Sequence, residues 1–233
     1  IWNSQNEQVY AQFLQLLHQL NVLKTEETVS KFFKTATELC VDACLKSQQR
    51  AQQQQQAQQP GAQDVAPTAL NYTVIDALSR LFLLLVRLAD KDPADVTGRV
   101  NLLSRILGAV GTALLEDHEA KKTNKQNFDQ RPYHRLLANL LSDLGVPEPK
   151  QEPNPALLPV LSTFAQTLSA LQPLVAPGFA FAWLELVSHR CFMPNVLLMK
   201  DGKGWPLMHR LLISLLAFLQ PFLKTVQLTD AIR

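Results

Sequence analysis

Little in this sequence points to chemistry. Three cysteines in 233 residues are too few, and odd in number, for a disulfide framework. Cys40 and Cys44 lie one helical turn apart and Cys191 is remote, a usage that fits a reducing compartment, cytosol or nucleus. Charged residues make up only 18% of the chain and nearly cancel, leaving +2. That is too mild for a dedicated nucleic-acid binder, so no strong direct nucleic-acid binding is expected. The start Ile1-Trp2-Asn3-Ser4 lacks the basic and apolar regions of a secretion signal. The richest apolar runs, residues 81–86 and 211–219, fall short of the ~20 residues of a membrane span, so no membrane association is expected. No window alternates as a strand does.

What the chain has is helical periodicity. Residues 177–190 carry Phe179, Trp183, Leu184 and Val187 at helical spacing, with Phe181, Ala182 and Leu186 beside them. Pro177 suits a first turn, where its missing amide costs nothing. A helix apolar on nearly every face is expected to be buried on nearly every face, so this one is predicted to be central. The predicted structural core is Phe179, Trp183, Leu184 and Val187, with Leu136 and Leu140 from one neighbouring helix and Leu212 and Leu216 from another.

Taken in order, Ser4 to Glu7 forms a capping box ahead of Val9, Phe13, Leu16, Leu17 and Leu20. Thr25 is placed to cap a second helix, whose predicted stripe is Val29, Phe32, Phe33, Ala36, Leu39, Cys40 and Ala43. Residues 1–46 therefore read as a helical hairpin. Ten of the residues 47–63 are glutamine. This run either prolongs the second helix or dissolves into a solvated loop, and 47–68 is assigned as a Gln-rich flexible loop. Residues 69–233 continue the array with six more amphipathic stretches. The pattern at 228–233 resembles a cap and first turn cut off, so the chain is expected to be a fragment. The prediction is all-α: an irregular HEAT-like array of about eight antiparallel helices.

Each polar cluster has a plain structural explanation. Glu116-Asp117-His118-Glu119 has no second cluster to complete a metal site. Cys40 and Cys44 share a helix face without a partner motif. His189 and Cys191 flank Arg190, and a histidine beside a cysteine on a helix points away from it. Gly108 to Gly111 lacks the strand and lysine of a phosphate loop, and suits close helix contact instead. Lys121, Lys122 and Lys125 offer phosphate only diffuse attraction. Catalytic, metal and cofactor sites are all expected to be absent, and no enzyme activity is expected. Partner-binding residues are not legible, because groove and core residues look alike.

Leu23-Lys-Thr-Glu, Val29-Ser-Lys-Phe-Phe-Lys, Asn101-Leu-Leu-Ser-Arg-Ile-Leu-Gly, Pro132-Tyr-His-Arg, residues 176–190 and Lys203-Gly-Trp-Pro resemble, in order, the C-terminal conserved domain of the large scaffold subunit of the CCR–NOT deadenylase complex. The resemblance covers nearly the whole chain, with the glutamine run as a departure. It implies a helical-repeat platform that docks the sister Not-module subunits, supports poly(A)-tail shortening and translational repression, and acts in cytoplasm and nucleus. It also implies a domain longer than this chain. An RNA-binding helical repeat is the alternative; that would need a basic face with exposed aromatics.

Overall fold

Thr25 opens the first long helix as its sequence suggests: its Oγ1 accepts the Thr28 amide at 3.3 Å, and Glu26 and Glu27 occupy the positive end of the dipole. The computed structural model describes residues 25–58, 70–89, 96–145 and 157–223, with Gln12, Gln15, Leu16 and Gln19 ahead of them. Those four are helical, but most of the capping box and the first predicted helix lie outside the described residues. Among the described residues there are eight α-helices and no strand: α1 (Glu26–Gln58), α2 (Thr73–Leu88), α3 (Thr97–Thr123), α4 (Arg131–Leu144), α5 (Leu157–Ala170), α6 (Ala180–Val187), α7 (Met193–Leu197) and α8 (Trp205–Leu223). The fold is all-α, as its periodicity predicts.

The helices stack in two layers. In the first, α1 touches α3, α3 touches α5 and α5 touches α8; in the second, α2 touches α4 and α4 touches α6. Within each layer the first two helices run parallel. Glu26 pairs with Arg105 at 2.8 Å and Lys34 with Glu116 at 2.6 Å, so α1 and α3 advance together. Asp76 takes a bidentate pair from Arg135 and Ser79 Oγ meets Asn139, so α2 and α4 do the same. Between layers the direction reverses: Cys44 lies against Asn71 at one end of the α1–α2 hairpin and Phe33 meets Phe82 edge-on at the other. This alternation is that of a helical-repeat stack.

Several predicted faces turn out rotated. On α1 the buried stripe is Val29, Phe33, Thr37, Val41 and Cys44, whereas Leu39 is 64% exposed. Thr37 can lie in the core because its hydroxyl donates to the Phe33 carbonyl at 2.8 Å. α1 also continues to Gln58, so residues 47–58, assigned to the glutamine loop, are helical. Glutamine is a good helix former, and a packed helix already nucleated extends at little cost.

The 177–190 stretch is a 3-10 turn (Pro177–Phe179) followed by the short α6. Phe179, Trp183 and Val187 are buried, as are Leu136 and Leu140 of α4. Leu184 is not: it is 43% exposed, and Phe181 beside it is 78% exposed. α6 sits in the second layer, packed on one side only, so burial on nearly every face is corrected to burial on one. The same holds for α8, where Met208 and Leu211 are buried while Leu212 and Leu216 are 40% and 57% exposed. α8 rests on α5 and α7, and none of the described helices covers its other side. Spanning 19 residues, α8 is the one described helix long and apolar enough to cross a membrane, since it adds Leu207, Met208, Phe222 and Leu223 to the 211–219 run. Met208 and Leu211 are the residues it buries against the array.

Trp183 is the wedge between layers. It is fully buried, and its indole N–H donates to the Leu168 carbonyl of α5 at 2.7 Å. Trp183→Ala is expected to cost about 3–5 kcal/mol through lost transfer energy and a cavity, read as a lower denaturant midpoint. The turn before α8 holds a second constraint. Asp201 and Gly202 both have positive φ (60° and 65°), and a Cβ on Gly204 would collide with the Val196 carbonyl oxygen. Gly204→Ala is therefore expected to destabilise by about 1–3 kcal/mol, seen as a lower melting temperature. A Gly108→Ala control should not, because a Cβ there meets nothing within 4 Å.

Candidate protein-docking surface

The acidic stretch at the end of α3 disperses its side chains. His118 turns inward, where its Nε2 accepts the Gly178 amide at 3.2 Å and its ring meets Phe128 edge-on. Glu116 reaches Lys34 on α1, Asp117 holds Lys121 at 2.9 Å, and Glu119 faces Lys122. Among the described residues no three His, Cys, Asp or Glu side chains gather as a metal site would require. Cys44 donates its thiol to the Asn71 carbonyl, and burial pushes the thiols of Cys40 and Cys44 above their ordinary range. Neither is a ready nucleophile or ligand. His189 uses Nδ1 to accept the backbone amide of Cys191 rather than to activate the thiol. A Cβ on Gly111 would make only ordinary contact with Leu171, and one on Gly108 would meet nothing within 4 Å, so neither glycine marks the close helix approach that their spacing suggested.

The histidines on α4 and beyond α6 are kept neutral. Burial lowers the pKa of His134 more than Glu185 raises it, although the two side chains meet at 3.0 Å. Burial, then the nearby Arg190, lowers that of His189. These groups join α4 to α6. They do not converge on a common cavity.

What the structure assembles is a groove along the later halves of α1 and α3. Its first section, about 500 Å³, has an apolar floor of Val41, Leu45, Ala113 and Tyr133. Its rim carries Glu38, Asp42, Glu116 and Asp117, with Lys46 and Lys121 between them. Tyr133 anchors the floor: burial first, then the Asp117 carboxylate, holds its phenol far above the ordinary range, so it stays protonated. Phe128 stacks on Tyr133 with ring centroids 5.9 Å apart, and Lys121 Nζ lies over the Phe128 ring, 5.8 Å from its centroid. The second section, about 810 Å³, opens beside Phe128 between the glutamine arm of α1 and the loop at 126–131. Gln48, Gln49, Gln52, Gln126, Asn127 and Gln130 line it. Burial raises the Asp129 carboxyl, but hydrogen bonds from Arg131 outweigh this and hold it below its usual range.

Two further apolar surfaces are exposed. Leu174 and Val175 precede Phe181 and Leu184 along one segment, and Ile213, Leu216, Ala217 and Leu223 line a shallow cleft of about 480 Å³ on α8. Of the lysines expected to offer phosphate only diffuse attraction, Lys121 and Lys122 are engaged by carboxylates, and Lys125 occupies a turn at φ 53°. Periodicity did not disclose the groove, because its walls are glutamines and its floor residues belong to core stripes. The roles of His118 and Gln130 escaped it too, since each reaches a helix start more than 50 residues away.

Comparison with known proteins gives this array its relatives. Residues 146–233 match the family model of Not1, the CCR4-Not complex component. The CCR4-NOT transcription complex subunit let-711 of Caenorhabditis elegans is 34% identical across 95% of this chain, and the general negative regulator of transcription subunit 1 of Saccharomyces cerevisiae is 27% identical across 97%. The chain spans only 8% and 10% of those proteins. Among solved structures, the NOT1 superfamily homology domain of Chaetomium thermophilum superposes with a TM-score of 0.72 at 25% identity, over 94% of this chain and 38% of that one. A Not1 C-terminal domain solved in complex with Not4 superposes with a TM-score of 0.65 at 26% identity, over 90% of this chain and 39% of that one. Sequence and fold thus agree along nearly the full length: the chain is similar to the C-terminal domain of Not1, and residues 146–233 match the model of that family.

Proposed function

We propose that this chain is a non-catalytic docking platform of a CCR4-NOT assembly, holding sister subunits of the Not module. The observation that carries the reading is the likeness to a Not1 C-terminal domain solved with Not4 bound. The long α1–α3 groove and the exposed apolar faces of the two-layer stack support it, since partner segments bind in such grooves. So does the disposition of titratable groups, which pair with each other along helix flanks instead of converging in a cleft. Such a platform accelerates nothing itself. It raises the local concentration of tethered subunits around a message, and in that way serves mRNA deadenylation, decay and translational repression in cytoplasm and nucleus. We place α1, with its glutamine arm to Gln58, in the same domain as the helices from Thr73 to Leu223.

The test is co-purification of the chain with Not4 and the other Not-module subunits, alongside nuclease, hydrolase and transferase assays. Stable co-elution with at least one subunit is expected, with turnover no greater than the buffer control. RNA binding should be weak and fall steeply as salt rises, because it would rest on scattered lysines. Salt-resistant, sequence-selective RNA binding with no protein partner would favour the RNA-binding repeat instead.

A further inference from the structure

We infer that the α1–α3 groove is the seat of an extended protein segment carrying a basic side chain beside an apolar one. The inference rests on the docking reading above and states where on this chain docking occurs. The α1 wall runs from Glu38 to Gln52, about 21 Å of helix, which matches about six residues of extended chain. The two sections are continuous, sharing Leu45, Gln49 and Lys121.

Each section selects for part of the occupant. In the first, four rim carboxylates stand above an apolar floor, Glu38 and Glu116 sharing Lys34 while Asp42 and Asp117 pair with Lys46 and Lys121. The Asp42–Lys46 pair, at 2.6 Å with both side chains more than half exposed, is of a kind that contributes little to stability. An incoming guanidinium with two parallel donors can therefore displace the lysine and engage the carboxylate more specifically. A neighbouring apolar side chain then seats on Val41, Leu45 and Tyr133. In the second section the amides of Gln49, Gln52, Gln126 and Asn127 each offer donors and an acceptor. An extended main chain has both to satisfy, whereas a helix has already paired its own. Across both sections five carboxylates line the groove against Lys46, Lys121 and Arg131, a balance that disfavours a phosphate backbone.

The experiment measures binding of the chain to 15-residue peptides tiled across Not4 and the other Not-module subunits, by fluorescence anisotropy. Ala120→Trp would fill the groove, Asp42→Lys would reverse its rim, and Glu119→Lys serves as an exposed control outside it; residues 42, 119 and 120 are exposed, so all three variants should fold. The expected result is a peptide containing Arg or Lys whose affinity drops at least tenfold with Ala120→Trp and with Asp42→Lys, and is unchanged with Glu119→Lys. Changing that peptide's basic residue to Gln should cost a similar factor. Peptide binding that survives both groove variants overturns the inference while leaving the docking reading in place. Failure of every peptide to bind the unsubstituted chain removes the docking reading and this inference together. An RNA oligonucleotide released by the same two variants would assign the groove to nucleic acid and overturn it as well.

Discussion

A helix that starts inside a protein must satisfy the amides of its first turn before its apolar side chains count for anything. The 177–187 segment has no capping side chain of its own; Pro177 removes one donor, and the others need acceptors from elsewhere. His118 supplies one to Gly178 and Gln130 supplies another to Ala182 at 3.0 Å. Both come from the end of α3 and the loop after it. The start of α6 is thereby fixed to the first layer by polar contacts, and Trp183 fixes its body by a buried bond to α5. Gly178 itself is held close by this arrangement: a Cβ would approach the His118 ring to 3.0 Å and Phe128 to 3.1 Å. The entry of α6 depends on those few acceptors, and Phe128 links one of them, His118, to Tyr133.

This dependence explains which parts of the fold could be read in advance. Helix existence was legible because Val100 to Leu114 or Tyr133 to Leu144 repeat at three- and four-residue steps regardless of what covers them. Thr25 was legible as a cap because its partner, Thr28, is local. The faces of α6 and α8 were not. Leu184, Leu212 and Leu216 have the same chemistry as Trp183 and Leu211, and only the number of layers above each helix separates them. Periodicity says that a helix has an apolar side; it does not say how many neighbours arrive.

The candidate site was hidden for a related reason. Its polar wall is a run of glutamines whose composition suggests a solvated loop, yet continuous hydrogen bonding from the packed part of α1 carries the helix through it. Its floor, Val41 and Tyr133, is indistinguishable in sequence from the rest of the core. Lys121 belonged to a cluster considered for phosphate, but Asp117 and the Phe128 ring account for its place. A groove between parallel helices needs both walls at once, and those are brought together by pairs such as Lys34 with Glu116 that lie far apart in the chain.

The continuity of α1 into the glutamine run makes the lining amides a matter of angular phase. Each added residue in a helix turns everything after it by about 100°. One residue inserted between Val41 and Gln48 would swing Gln48, Gln49 and Gln52 off the groove wall, while four would return them to within about 40° of it. Glutamines added after Gln52 would change nothing there. The length of the tract and the register of its first turns are thus separable quantities, and only the second reaches the wall.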